Sequence, residues 1–200
     1  MPMPTYFKAP LAATPLAAAL VSVTLVTAAL VATAALSGCA RSIVTDALPT
    51  NYDRTDPAAE VVFYHNLANM NKVSNDEALH ALTLLADDED PTLDYDARVK
   101  AAKERGWLNP DFNQPPDLVA QKGLVAECLV RMLQIEGGVW LKLLGPTPRY
   151  SVRELVNLGV MPEESSERQA MSGAEFVGIL GRARDSAILE KMRELRKTGG

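Results

Sequence analysis

The chain has two histidines, two cysteines and two tryptophans in 200 residues, and only 6% of it is aromatic. It lacks a Gly-x-Ser-x-Gly elbow, a glycine-rich phosphate loop, a His-Glu-x-x-His pair and a Cys-x-x-Cys pair, so the nucleophile and metal chemistries those motifs carry have nothing to build on. His65 and His80 fall in different expected helices without a ligand-spaced carboxylate, which makes them surface or core histidines. No catalytic residue, metal or cofactor is therefore expected. With 25 acidic residues against 20 lysines and arginines, the formal charge is −5, and no basic stripe is interleaved with aromatics. That argues against nucleic acid as a partner and against an electrostatic grip on anionic lipids.

What the chain does have is a long apolar start. Lys8 is the only charge in the first 40 residues, and Leu11 to Leu36 is almost wholly Ala, Val, Leu and Thr, closing on Leu36-Ser37-Gly38-Cys39. This is the layout of an n-region, an h-region and a small-residue cleavage site. It resembles the lipobox of bacterial lipoprotein precursors. The resemblance implies a signal peptide over residues 1–38, cleavage before Cys39, and lipid on the Cys39 thiol and new amino group, giving an exported protein anchored to a bacterial membrane and facing the periplasm or the cell surface. The alternative is a retained transmembrane anchor, since the run is about long enough to cross ~30 Å of hydrocarbon. A retained anchor usually carries a stronger basic flank than one lysine. Removal of the signal takes one lysine and no acid, so the mature charge becomes 19 − 25 = −6. With Cys39 acylated, Cys128 has no partner for an internal disulfide, and its neighbours Leu124, Val125, Leu129 and Val130 mark it as a small buried hydrophobe.

The remaining residues, about 160, suit one domain with its own core. Residues 39–57 are polar, aperiodic and broken by Pro49, Asn51, Asp53, Asp56 and Pro57, the composition of a flexible tether. Helical periodicity then takes over. Ala58 to Met70 reads as a helix; Ser74 with Glu77 three residues later is a capping box opening another through Leu85. Further helices are expected over Leu93 to Arg105, Val119 to Ile135, Tyr150 to Leu158 and Ser172 to Arg184, with Gly106 and Gly159 as stops, while Val139 to Leu144 is too short to type. The charged tail over residues 187–200 is helix-prone. Strand alternation is absent, so the body is expected to be all-α.

The spacing repeats. Tyr95, Gly106-Trp107-Leu108, a proline-containing loop and Val119 to Leu133 match Tyr150, Gly159-Val160-Met161, a loop and Met171 to Ala183; Val73 to Leu79 resembles Met171 to Val177. This gives three helix-loop-helix units, at about 58–90, 92–136 and 147–184, within a repeat domain over 58–186. Two short amphipathic helices cannot bury their stripes alone, so the units must share a core. The pattern resembles the S-layer homology domains of bacterial envelope proteins, with Met171-Ser172-Gly173-Ala174-Glu175-Phe176 the nearest local copy. The resemblance implies a pseudo-threefold bundle and binding of cell-wall glycan through an arginine that opens each second helix. Here that position aligns with Asn75, Gln121 and Gly173, and the family's second glycine is replaced at Pro110 and Glu163.

Among polar clusters, Asp87 to Asp90 with Asp94 and Asp96 could hold Ca²⁺ but lack the EF-hand glycine and terminal glutamate, so a solvated acidic loop that caps the next helix is expected. Arg149 and Arg153 lie one turn apart, and the repeat would bring Arg182 and Arg184 close. Two such arginines can fork an anion, or pair with Glu154, Glu175 or Asp185. Trp107 and Trp140 can plug the spaces between units or stack on sugar, while Met132, Met161 and Met171 fill core gaps. The expected function is a non-enzymatic envelope lipoprotein that binds a glycan or an envelope protein through Arg149, Arg153, Arg182 and Trp107. The alternative is a lipid-anchored wall hydrolase using carboxylates such as Glu154 and Glu175.

Overall fold

The computed structural model describes residues 42–56 and 58–185, apart from the side chain of Trp140; the expected signal peptide, Cys39 and the tail from residue 186 lie outside the described residues. Among the described residues, seven helices carry the fold, joined by three isolated β-bridges. They are α1 Ala59–Ala68, α2 Asn75–Asp87, α3 Tyr95–Glu104, α4 Lys122–Met132, α5 Val139–Leu144, α6 Pro148–Asn157 and α7 Gly173–Asp185. The body is all-α. No described helix is long and apolar enough to cross a membrane.

Local chemistry sets several of the helix ends. Ser74 accepts from the Glu77 amide and the Glu77 carboxylate accepts from the Ser74 amide, the reciprocal capping box expected at α2. Asp94 caps α3 by accepting from Ala97 N at 2.8 Å, and Pro148 occupies the first turn of α6, where its missing N–H costs nothing. Gly106 and Gly159 both stop helices with positive φ, +72° and +71°. Their hydrogen bonds match one for one. Trp107 N and Leu108 N both reach Ala102 O, as Val160 N and Met161 N both reach Leu155 O, and Gly106 N and Gly159 N close on Lys103 O and Val156 O. The offset is constant, 159 − 106 = 53 residues.

The helix bounds shift by one or two residues from the sequence reading in most places, and by three at both ends of α4. The helix expected from Val119 begins at Lys122, because Val119 bridges Ser74 and Ala120 N donates to Val73 O at 2.8 Å, so these backbone groups are engaged sideways. It ends at Met132 rather than Ile135, since Gln134 takes a left-handed φ of +49° and Ile135 N folds back onto Val130 O. The untyped Val139–Leu144 is the short helix α5.

A cycle of backbone bonds links the lead-ins of α2, α4 and α7. Ala120 N donates to Val73 O (2.8 Å), Lys122 N to Gln169 O (2.9 Å) and Gly173 N to Met70 O (2.8 Å). The last contact demands glycine, because a Cβ at Gly173 would collide with the Leu67 carbonyl oxygen. α4 packs on α6, α1 on α7, and α2 touches α3, α4 and α7. Phe63, Leu67, Leu82, Leu129, Leu155, Phe176 and Ile179 fill the core between them, each such side chain contributing about 1.5–3 kcal/mol on burial. Met132, Met161 and Met171 are buried in it.

The segment expected to be a flexible tether is, over its described part, built into the body. Ile43 bridges Leu118, Val44 N donates to Asp117 O at 2.8 Å, and Leu48 N donates to Glu77 Oε1 at 2.7 Å. Val44 and Thr50 are buried. Polarity and prolines concealed this: the segment satisfies its backbone through partners more than 25 residues away, a pairing that local periodicity cannot register.

Candidate functional site

The densest polar chemistry lies where this N-terminal segment crosses α2. Glu77, opening α2, receives Ser74 N on Oε2 and Leu48 N on Oε1, so the capping glutamate also fastens the segment. Asp76 accepts from the Thr50 hydroxyl at 2.8 Å and pairs with Arg98 from α3. One turn on, His80 sits on a stretch of α2 buried all round, with Ala78, Leu79, Ala81 and Leu82. Its Nδ1 lies 2.6 Å from Asp90 Oδ2 and its Nε2 3.0 Å from the Tyr52 hydroxyl. Arg98, only 1% exposed, donates through Nε to the same Asp90 oxygen at 2.7 Å, and Thr92 donates twice to the other.

Electrostatics follow from this packing. Burial pushes the Asp90 carboxyl up, but hydrogen bonds from His80, Thr92 and Arg98 together with the Arg98 charge outweigh it and hold the group well below the usual carboxylate range. An ionised Asp90 keeps the His80 proton on Nδ1 in either charge state. Burial, then the Glu60 charge, push the Tyr52 phenol up to about 12. Tyr52, His80 and Asp90 thus lie in line like a proton relay, beside a cleft of about 520 Å³ that Arg54, Glu60 and Asp88 also line. The relay has a poor terminus: a phenol at about 12 is neither a base nor a ready nucleophile near neutral pH. Its chemistry is that of a strap, joining the segment, α2 and α3 through a shared carboxylate.

The acidic loop is accordingly only partly solvated. Asp94 caps α3 as expected, while Asp90 is buried, Asp87 pairs with Arg105, and Asp88 lies 3.6 Å from Arg184. Among the described residues no group of three His, Cys, Asp or Glu is placed to hold a metal ion.

The residues singled out for binding do not share one cleft. Arg153 lines a cleft of about 240 Å³ with Gly138, Leu141, Tyr150, Glu154 and Asn157. Arg149 is exposed on the first turn of α6 and does not line it. Arg182, expected close by, instead donates Nε to Val160 O at 2.7 Å, past the far end of α6. Trp107 is half-buried against the core, with the Arg105 guanidinium 4.6 Å from its ring centroid. Glu154 accepts from Gly138 N at 3.1 Å, just before α5, and Glu175 pairs with Lys122. The Cys39 acceptor and the Trp140 side chain lie outside what is described. Cys128 is fully buried, and burial pushes its thiol up to about 12.

Lys122 went unnoticed in the sequence. It is the first residue of α4, as Asn75 and Gly173 are of α2 and α7, so the position aligned above with Gln121 belongs to Lys122. It is 1% exposed, paired with Glu175 and 3.2 Å from Ser165 Oγ. A lysine in the first turn of a helix opposes the helix dipole, and that was the available signal of a tertiary partner. His80 carried a similar one, a polar side chain within a wholly apolar turn. The chain matches no protein-family model, and no similar curated protein or solved structure was found.

Proposed function

We propose that this chain is an exported bacterial lipoprotein, acylated at Cys39, whose helical body is a non-enzymatic module that binds an envelope glycan or protein. The lipid anchor rests on the Leu36-Ser37-Gly38-Cys39 string after its apolar run. The body is read as three helix-loop-helix units around a shared core. Its support is the matching hydrogen bonds at Gly106 and Gly159 and the cycle of bonds among the lead-ins of α2, α4 and α7. Under this reading the loops after the two glycines flank grooves, with Trp107 and Arg153 as contacts and Arg149 at the rim.

The observation that favours a binder over a wall hydrolase concerns the two acids such a hydrolase would use. Glu154 accepts from the Gly138 amide just before α5 and Glu175 pairs with the buried Lys122, and only Glu154 lines the Arg153 cleft. Glycoside hydrolysis needs two carboxyls facing each other across a substrate, about 5–9.5 Å apart. The test has two arms. Metabolic labelling with a fatty-acid probe should mark the wild type and not Cys39→Ala; equal label on both sinks the anchor. Envelope material captured on the body should fall roughly tenfold or more with Arg153→Ala at unchanged melting temperature, the loss of one charge-assisted contact. Unchanged capture removes Arg153 from the site.

A further inference from the structure

We propose that the body does not stand off from its membrane on a tether but lies against the lipid headgroups through the surface around Ile43. This rests on acylation of Cys39, and deepens it by naming the face that meets the lipid. Ser42, Ile43 and Val44 are held by the body: Val119 N donates to Ser42 O at 3.0 Å, Ile43 bridges Leu118, and Val44 N donates to Asp117 O at 2.8 Å. Three residue steps separate Ser42 from Cys39. Fully extended, three residues span at most about 10 Å, comparable with the headgroup layer, which is about 5–7 Å deep on each side of the bilayer. With the acyl chains in the hydrocarbon, Ser42 therefore cannot leave the interfacial zone by more than a few ångströms.

The surface at that point suits the location. Ile43 is 58% exposed, an isoleucine presented to the outside by a backbone bridge that does not involve its side chain. Beside it the Lys72 ammonium lies 2.8 Å from the Ser42 hydroxyl, an exposed cation placed to meet lipid phosphate. The occupant is thus the bilayer surface itself. Another exposed apolar group, Val139 with Leu143 and Leu144 on α5, follows the opposite end of α4 from the Val119 lead-in and serves as the internal control.

The acylated full chain, with an environment-sensitive fluorophore on Ile43→Cys or on Val139→Cys, is reconstituted in phosphatidylethanolamine–phosphatidylglycerol vesicles containing a headgroup-nitroxide lipid. Native Cys128 is buried and does not compete for label. The Ile43 label should be quenched several-fold more than the Val139 label. A flexible insert of about six Gly and Ser residues before Ser42, adding on the order of 13 Å of reach, should remove most of that difference. Equal quenching at both sites, quenching unaffected by the insert, or a label shielded from water yet untouched by the lipid quencher each overturns the inference; the last would mean that a protein covers Ile43. Absence of acyl label on Cys39 in the same sample defeats the lipoprotein reading, and this inference with it, whereas acylated protein with a water-exposed Ile43 defeats this inference alone.

Discussion

The body is held together differently on its two sides. From residue 42 to α3, the buried set includes Thr50, Asn75, Glu77, His80, Asp90 and Arg98, and four of these, Thr50, His80, Asp90 and Arg98, are linked through the Asp76 and Asp90 carboxylates. Across α4 and α6, burial is apolar, by Val125, Ala126, Leu129, Val130, Val152 and Leu155, with Lys122 and Ser151 the polar exceptions. An apolar contact weakens in proportion to the volume removed, whereas a buried ion pair that loses one partner leaves the other charge stranded. The first side should therefore respond to the identity of a group, the second to its size.

Arg98→Met tests this at its strongest. It strands Asp90, and should lower unfolding free energy by about 4 kcal/mol in urea titrations. Adding Asp90→Asn should recover a good part of that loss, because the uncompensated charge is gone; no recovery would mean that the network is held by packing, like the opposite side. In the apolar half, Leu155→Ala should cost about 3 kcal/mol, and Leu155→Met less than about 1.5 kcal/mol, since volume rather than chemistry is at stake. A Leu155→Met cost equal to that of Leu155→Ala would blur the contrast.

Acid separates the two sides in another way. Asp90 has a folded pKa below its unfolded value of about 3.9, so it contributes stability above that pH and loses the contribution as pH falls toward the folded value. The stability gap between wild type and Asp90→Asn should accordingly begin to close below about pH 4. Leu155→Ala should show a gap that does not close there. The smallest effects are expected at the helix stops: Gly106→Ala and Gly159→Ala meet no atom within 4 Å but force alanine to φ near +70°, costing each about 1 kcal/mol. Unequal costs would argue that the two stops, alike in hydrogen bonding, differ in their surroundings.

The apolar side was largely legible beforehand. Cys128 among leucines and valines is the buried hydrophobe it was read to be, and Gly106 and Gly159 sit at helix ends with matching geometry. The polar side was not. Sequence spacing gives His80 no ligand-spaced carboxylate and makes Asp87 to Asp90 a solvated loop, while the fold puts Asp90 against His80 and Arg98 against both Asp90 and Asp76. The arginine cluster failed for the same reason in reverse: Arg149 and Arg153 share a helix, but Arg182 is tied to Val160.

By itself, the sequence determined whatever is decided within about a turn of chain: the capping box at Ser74 and Glu77, the Asp94 cap, the glycine stops, and the all-α character that follows from helical periodicity without strand alternation. Those features rest on hydrogen bonds and side-chain spacings that span four or five residues. The tertiary structure alone decided which charges would be buried together, that residues 42–56 pack rather than swing, and that Lys122 lies beneath Glu175. Thr50 meets Asp76 across 26 residues and Tyr52 meets His80 across 28. At such separations a polar residue carries no local mark of its partner, and only the path of the chain through the core brings the two within hydrogen-bonding range.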